Sequence, residues 1–263
     1  ECNLSQPESI RQAVRRHRPT VIVNAGAYTA VDRAETEREQ AFAINGTAPG
    51  ILGEEASAIG ALVVHYSTDY VFDGHGTHAW RETDPTAPQS AYGQSKLEGE
   101  ARLAAAAPRH LILRTSWVVG AHGANFAKTM LRLAAERDEL RVVDDQVGAP
   151  TSASLIADCT AHMIRPFLRH ERDAFPFGVY HLAAGGETSW HGYARHVIAQ
   201  AQKAGLALRV PPERVIPIAS ADYPTQARRP HNSRLDTTRL RDTFRLTLPD
   251  WREGISHILQ QIL

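Results

Sequence analysis

Ala61-Leu62-Val63-Val64-His65-Tyr66-Ser67-Thr68-Asp69-Tyr70-Val71-Phe72 changes character half-way along. It begins as an apolar, β-branched run, the texture of a strand buried on both faces, and ends as hydroxyls gathered around a carboxylate. Two further runs share the first texture, Thr20-Val21-Ile22-Val23 and His110-Leu111-Ile112-Leu113-Arg114-Thr115. Segments of helical periodicity lie among them, over 9–17, 47–59 and 90–106. Apolar strands alternating with amphipathic helices predict a parallel sheet covered by helices on both faces. Arg18-Pro19 ends the first helix, because a residue before proline is driven out of the α region, and Gly60 closes the second.

The second half is less regular. Helices are predicted over 125–136, 152–168 (with Ser152 as N-cap) and 189–204, and strands over 141–143 and 178–182. Pro211, Pro212, Pro217, Pro224 and Pro230 mark a stretch that is mostly loop. A last helix follows Pro249, with Asp250 and Glu253 near its positive end. The fold class read from this pattern is α/β: a Rossmann-like, doubly wound parallel sheet followed by a smaller, loop-rich C-terminal domain.

The chain's 263 residues suffice for one large domain or two modest ones. With 29 Lys+Arg against 29 Asp+Glu, the formal charge is zero, which argues against a basic nucleic-acid-binding face. No run approaches the roughly 20 apolar residues of a membrane span. Cys2 and Cys159 lie far apart, supporting neither a disulfide scaffold nor a zinc knuckle and suiting a reducing cytoplasm. Thirteen histidines show no metal-ligand spacing. His65, within a strand, reads as a satisfied core residue, and Cys159 as buried and inert.

Chemistry concentrates at strand ends. In Tyr92-Gly93-Gln94-Ser95-Lys96, positions i and i+4 of a helix share a face, so phenol and ammonium can point into one site. A phenol titrates near 10, too high for acid–base work at neutral pH, and a nearby ammonium would lower it. Alone the spacing is weak, since such pairs are common on solvated helices. Its context is not: Ser67-Thr68-Asp69, Asn24-Ala25-Gly26-Ala27 and Thr115-Ser116-Trp117 each end a predicted strand, where ligands bind in open α/β sheets.

Together these segments resemble the extended short-chain dehydrogenase/reductases, and within them the dTDP-4-dehydrorhamnose reductases. Asp145-Gln146-Val147-Gly148-Ala149-Pro150-Thr151 and Arg228-Arg229-Pro230-His231-Asn232-Ser233 are the more specific segments, and the likeness covers essentially the whole chain. The resemblance implies reduction of the C4 ketone of a dTDP-sugar by NADPH, with NADH as the alternative. Tyr92 would be the general acid, Lys96 its partner at the nicotinamide ribose, and Thr68 the hydroxyl that polarises the ketone. It places Asn3, Leu4, Ala25, Ala27, Tyr28, Thr29 and Ser67 with Tyr92 and Lys96 around the cofactor. Thr68, Asp69, Trp117, Arg228, Arg229 and Asn232 fall around the substrate, Trp117 with a flat face against the hexose and the arginines on the pyrophosphate. Residues 1–118, with 152–184 returning to them, would form the cofactor domain; 119–151 and 185–263 would bind substrate. A homodimer is compatible with the resemblance. The magnesium that some members bind is not carried over, because Ser154 stands where one glutamate ligand would be.

The pattern departs from the family at its start. The glycine-rich G-x-x-G-x-x-G turn is absent, and neither Gly120 to Gly123 nor Gly185-Gly186 has its spacing. By the resemblance Glu1 follows a missing first βα unit, whose absence would leave residues 1–263 binding NADPH poorly. Two rival functions stay open: another nucleotide-sugar epimerase or dehydratase using the same Tyr92 and Lys96, and a non-catalytic, reductase-like regulatory subunit of the methionine adenosyltransferase type.

Overall fold

The computed structural model describes residues 2–169 and 174–263; Glu1 and part of the 152–184 segment lie outside them. In chain order the elements are α1 (Pro7–His17), β1 (Val21–Asn24), α2 (Arg38–Phe42), α3 (Ala48–Ile59), β2 (Leu62–Thr68), α4 (Ala91–Ala106), β3 (His110–Thr115), β4 (Val118–Val119), α5 (Phe126–Glu136), β5 (Leu140–Val143), β6 (Val147–Gly148), β7 (Thr151–Ser152), α6 (Ala153–Leu168), β8 (Gly178–His181), β9 (Thr188–Ser189), α7 (Trp190–Lys203), β10 (Val215–Ile218), α8 (Thr238–Phe244) and α9 (Trp251–Ile262). A π-helical turn, Ala43–Thr47, joins α2 to α3.

Strands β1, β2, β3 and β8 form one parallel sheet in that order. Side chains alternate across a strand, and β2 shows what each face meets. Leu62 and Val64 pack with Leu111 and Leu113 of β3 against Ile156, Met163 and Phe167 of α6 and Leu240 and Phe244 of α8. Val63 packs with Ile112 against Ala56 of α3 and Leu103 of α4. Both faces are therefore covered, which is why the strand needs no polar alternation. β1 differs from the expected buried strand. It is the sheet's edge, and Val23 is 44 % exposed.

A second core gathers Val119, Met130 and Ala134 of β4 and α5, Leu140 and Val142 of β5, Tyr193 and Val197 of α7, Val215 of β10, and Trp251 and Ile255 of α9. The proline-rich stretch, read as loop, supplies one of its strands: β10 pairs in parallel with β5, setting Pro217 opposite Val142. Proline survives there because a two-stranded sheet has only edges, so a missing N–H interrupts no second ladder. α8 is an element that the sequence pattern did not announce. Among the described residues no helix is long and apolar enough to cross a membrane.

Candidate active site

β2 delivers Ser67 and Thr68 to the C-terminal rim of the sheet, both buried. The chain then turns at Asp69, and the Thr68 hydroxyl holds the turn, accepting from Tyr70 N at 3.2 Å and donating to Asp69 Oδ1 at 3.1 Å. α4 starts beside it, its first turn capped by the Ser90 hydroxyl, which accepts from Gly93 N at 3.2 Å. A Cβ at Gly93 would stand 2.3 Å from the Tyr70 carbonyl oxygen, so the missing side chain lets the helix lie against this turn. That contact brings the Tyr92 ring edge-on to Tyr70, with centroids 5.5 Å apart, and its phenol to the Thr68 hydroxyl.

Lys96 lies one turn further on and is 2 % exposed. Its Nζ donates to the Tyr66 carbonyl at 2.6 Å and meets His65 Nε2 at 3.2 Å. His65 is thus buried, as read, yet not a bland core residue. Its Nδ1 lies 3.0 Å from the side-chain amide of Asn24, its register partner on β1. Glu100, a turn beyond Lys96, forks the Arg114 guanidinium at 2.7–3.2 Å, and both are buried.

These surroundings set the proton affinities. Burial lowers Lys96 to about 8, opposed by the Glu100 charge. Burial raises Tyr92 to about 12, the Asp69 charge adding to it and the Thr68 hydrogen bond opposing. The sequence-based expectation that Lys96 lowers the phenol is not met here: its ammonium is turned to Tyr66 and His65. Asp69 is pushed up to about 6 by burial, against a hydrogen bond from Thr68, and neither its Oδ2 nor the nearby Ser233 hydroxyl has a hydrogen-bond partner.

Other predicted residues spread around this centre. Leu4 lies against Gly26 in the turn after β1, which also carries Ala25, Ala27, Tyr28 and Thr29. Asn3 is exposed and its Oδ1 accepts from Ser5 N at 3.0 Å. Asn45, missed from sequence, clasps both Tyr28 backbone groups, at 2.8 and 3.0 Å, and donates to Ser95 Oγ at 3.0 Å. The Ser67 hydroxyl is buried without a partner. Arg229 pairs with Asp32 at 2.8 Å, whereas Arg228 is exposed. Both arginines line a cleft of about 470 Å³ with Tyr70, Asp145, Gln146 and Tyr223. Tyr223 carries no sequence signal; it stands in the proline-rich stretch.

Trp117 and Asn232 are both engaged by other parts of the protein. Trp117 has the left-handed φ of 48°, and its indole is already stacked on Trp190, centroids 3.8 Å apart. One flat face is therefore taken by protein. Asn232 is fully buried and spends its amide on the carbonyls of His78 and His75, at 2.7 and 3.3 Å, while its Oδ1 accepts from Arg234. It fastens a loop.

The family described as RmlD substrate binding domain matches residues 1–263. A dTDP-4-dehydrorhamnose reductase of Escherichia coli K12 is 51% identical over 260 residues, which make up 99% of this chain and 85% of that one. This chain belongs to the dTDP-4-dehydrorhamnose reductase family. Solved structures of that family agree. A dTDP-4-dehydrorhamnose reductase from Clostridium acetobutylicum superposes with a TM-score of 0.85 at 34% identity, over 98% of this chain and 86% of that one. One from Bacillus anthracis, solved in complex with NADP, gives 0.84 at 31% identity, over 99% and 87%. Within the reductase family's fold, Thr68, Tyr92 and Lys96 converge at one sheet rim, and the arginine-bearing cleft opens beside them at Tyr70.

Proposed function

We propose that the protein reduces the C4 ketone of dTDP-4-dehydro-L-rhamnose to give dTDP-L-rhamnose, with NADPH as the preferred reductant over NADH. The observation that carries this reading is the meeting of the Tyr92 phenol with the Thr68 hydroxyl at the end of β2, one helical turn from a buried Lys96, in a chain of this family.

The residues fit a nicotinamide cofactor. The Lys96 ammonium has three N–H donors; Tyr66 and His65 take two, leaving one for a ribose hydroxyl. The orphaned Ser67 hydroxyl and the small Ala25-Gly26-Ala27 turn leave a polar contact and close backbone approach on the same rim. When bound, the cofactor supplies the hydride that adds to C4. As charge develops on O4, Tyr92 gives that oxygen its phenolic proton and ends as phenolate. A phenol held near 12 is fully protonated at neutral pH, the state a proton donor to an alkoxide needs. Thr68 stands beside it to hydrogen-bond the same oxygen, and Lys96 fixes the ribose. Arg228 and Arg229 face the diphosphate of the substrate from the cleft, whose size suits a nucleotide-sized ligand.

Among the described residues no group of three His, Cys, Asp or Glu side chains is placed to hold a metal ion. Free thiols at exposed Cys2 and buried Cys159 suit a cytoplasmic setting.

The test is NADPH oxidation by the purified protein on addition of dTDP-4-dehydro-L-rhamnose. Stoichiometric oxidation, lowered about 10²–10⁴-fold in Tyr92→Phe, supports the reading. An epimerase or dehydratase would convert its sugar with no net consumption of NADPH, and a regulatory subunit would consume none.

A further inference from the structure

His65 belongs to no part of the chemistry above, yet it is the only side chain among the described residues within hydrogen-bond distance of Lys96 Nζ. It is 1 % exposed and sits in mid-sheet, flanked in register by Asn24 on β1 and Ile112 on β3. β2 and α4 make its contact with Lys96 inevitable: residues 63, 65 and 67 face the α3–α4 side of the sheet, and Lys96 descends on them from α4.

Donor and acceptor counting restricts the trio. An ammonium can only donate, so beside charged Lys96 the His65 Nε2 must accept. The single proton of a neutral imidazole then lies on Nδ1 and needs an acceptor; the Asn24 side-chain amide, whose Nδ2 stands 3.0 Å from Nδ1, provides one when it is turned over so that its oxygen takes that place. The opposite arrangement is equally self-consistent. With Lys96 an uncharged amine, Nε2 carries the proton and donates to Nζ, while Nδ1 accepts from the Asn24 amide nitrogen. Imidazolium satisfies neither, because it sets a second cation against Lys96 in a dry site. Burial and then the Lys96 charge hold His65 well below the usual imidazole range, in keeping with a neutral ring.

We propose that His65, held as the Nδ1–H tautomer by the Asn24 side-chain oxygen, positions the charged Lys96 by accepting at Nε2, and that its tautomer switches when Lys96 loses its proton. The inference rests on the reading of Lys96 as the group that faces the cofactor ribose. The Tyr66 carbonyl and His65 together aim two of its N–H bonds into the protein, so the third is directed without freedom to rotate away. The charged and titratable groups facing this pair are Tyr92 and Glu100 from α4, the latter paired to Arg114 of β3, and Asp69 beyond Tyr92 at the end of β2.

The tautomer is read by ¹⁵N NMR of the histidine-labelled full chain, with the His65 signals assigned by their loss in His65→Gln. The expected result at pH 6.5 is a protonated Nδ1 and an acceptor Nε2. Titration should invert the pattern around pH 8, where Lys96 deprotonates, and Lys96→Met should remove that inversion. An Nε2–H or imidazolium ring at pH 6.5, or a titration unchanged in Lys96→Met, overturns the proposal. In turnover, His65→Gln, which keeps an acceptor, should retain most of the activity. His65→Leu should lower kcat about tenfold or more and shift the pH profile; a wild-type profile in a folded His65→Leu protein also overturns it. The NMR arm needs neither cofactor nor substrate, so a failed reductase assay leaves the tautomer result standing. A wrong tautomer, conversely, sinks the positioning role with the reductase reading intact.

Discussion

Arg229 Nη2 donates to Asp32 Oδ2 at 2.8 Å, and Asp32 Oδ1 accepts from Ala227 N at 3.1 Å, so one carboxylate ties the turn after β1 to the loop that forms the cleft wall. The Arg229 and Asp32 side chains are 32 % and 40 % exposed, which keeps the pair's share of folding stability small. Its consequence is positional. The Arg229 charge is held beside Tyr70, at the boundary between the cleft and the Thr68–Tyr92 pair.

Arg229→Ala is therefore expected to raise KM for the nucleotide-sugar about tenfold, roughly 1.4 kcal/mol, with kcat little changed. Asp32→Asn should alter thermal stability by less than about 1 kcal/mol while raising KM by a smaller factor. Steady-state kinetics with a melting curve separate the two; an unchanged KM in Arg229→Ala would remove it from the substrate site.

Asp69 should make stability fall as pH rises from about 4 to 6. Its folded pKa, about 6, lies above the unfolded value near 4, so the native state binds the proton more tightly and its advantage is lost as pH passes the folded pKa. The shift of about two units corresponds to a cost on the order of 3 kcal/mol at neutral pH. Asp69→Asn is expected to be more stable than the parent by about 1–3 kcal/mol at pH 7 and no more stable at pH 4, by urea unfolding at both. Equal gains at the two values would mean that the carboxylate is not the cause.

Glu100→Gln breaks the buried pair with Arg114 and leaves a cation whose Nη1 is already without a partner. The expected loss is about 3–5 kcal/mol, and Glu100→Leu with Arg114→Met should recover part of it. Because the Glu100 charge supports the Lys96 ammonium, the single variant should also move the Lys96 titration below about 8. Denaturant unfolding and the His65 tautomer titration read the two effects.

Gly93→Ala would gain about 1 kcal/mol of helix propensity on an open helix. Here the new methyl meets the Tyr70 carbonyl at 2.3 Å, so α4 must shift from the Asp69 turn and carry Tyr92 with it. The expected outcome is a net loss of stability of about 1–3 kcal/mol and a fall in kcat larger than the change in KM. A protein as stable and active as the parent would show that α4 does not need this approach.

The spacing of Tyr92, Lys96 and Thr68 was legible because helix and strand periods are local, and both segments adopt the backbone that their patterns predict. His65 is the satisfied core residue it was read as, but its partner was hidden for the same reason. A lone histidine in an apolar strand looks like filler until α4 is laid across the sheet and Lys96 Nζ arrives at its Nε2. Trp117 looked free to stack on a sugar until Trp190, far along the chain, took one face. Pro217 looked like loop because the pattern could not show that a two-stranded sheet awaited it.

What the amino-acid order determined alone was the alternation of buried strands and amphipathic helices, the helix caps, and the candidate acid with its lysine. These follow from the nearest few residues: their periodicity, their steric limits and the hydrogen bonds they make to their own backbone. Only the tertiary structure decided that Tyr92 is raised, that Lys96 is lowered and turned to His65, that Asn232 fastens a loop, and that Asp32 anchors Arg229. Proton affinity and polar partnership depend on desolvation and on distances between side chains from different elements. Packing of helix on sheet sets both, and no local pattern encodes them.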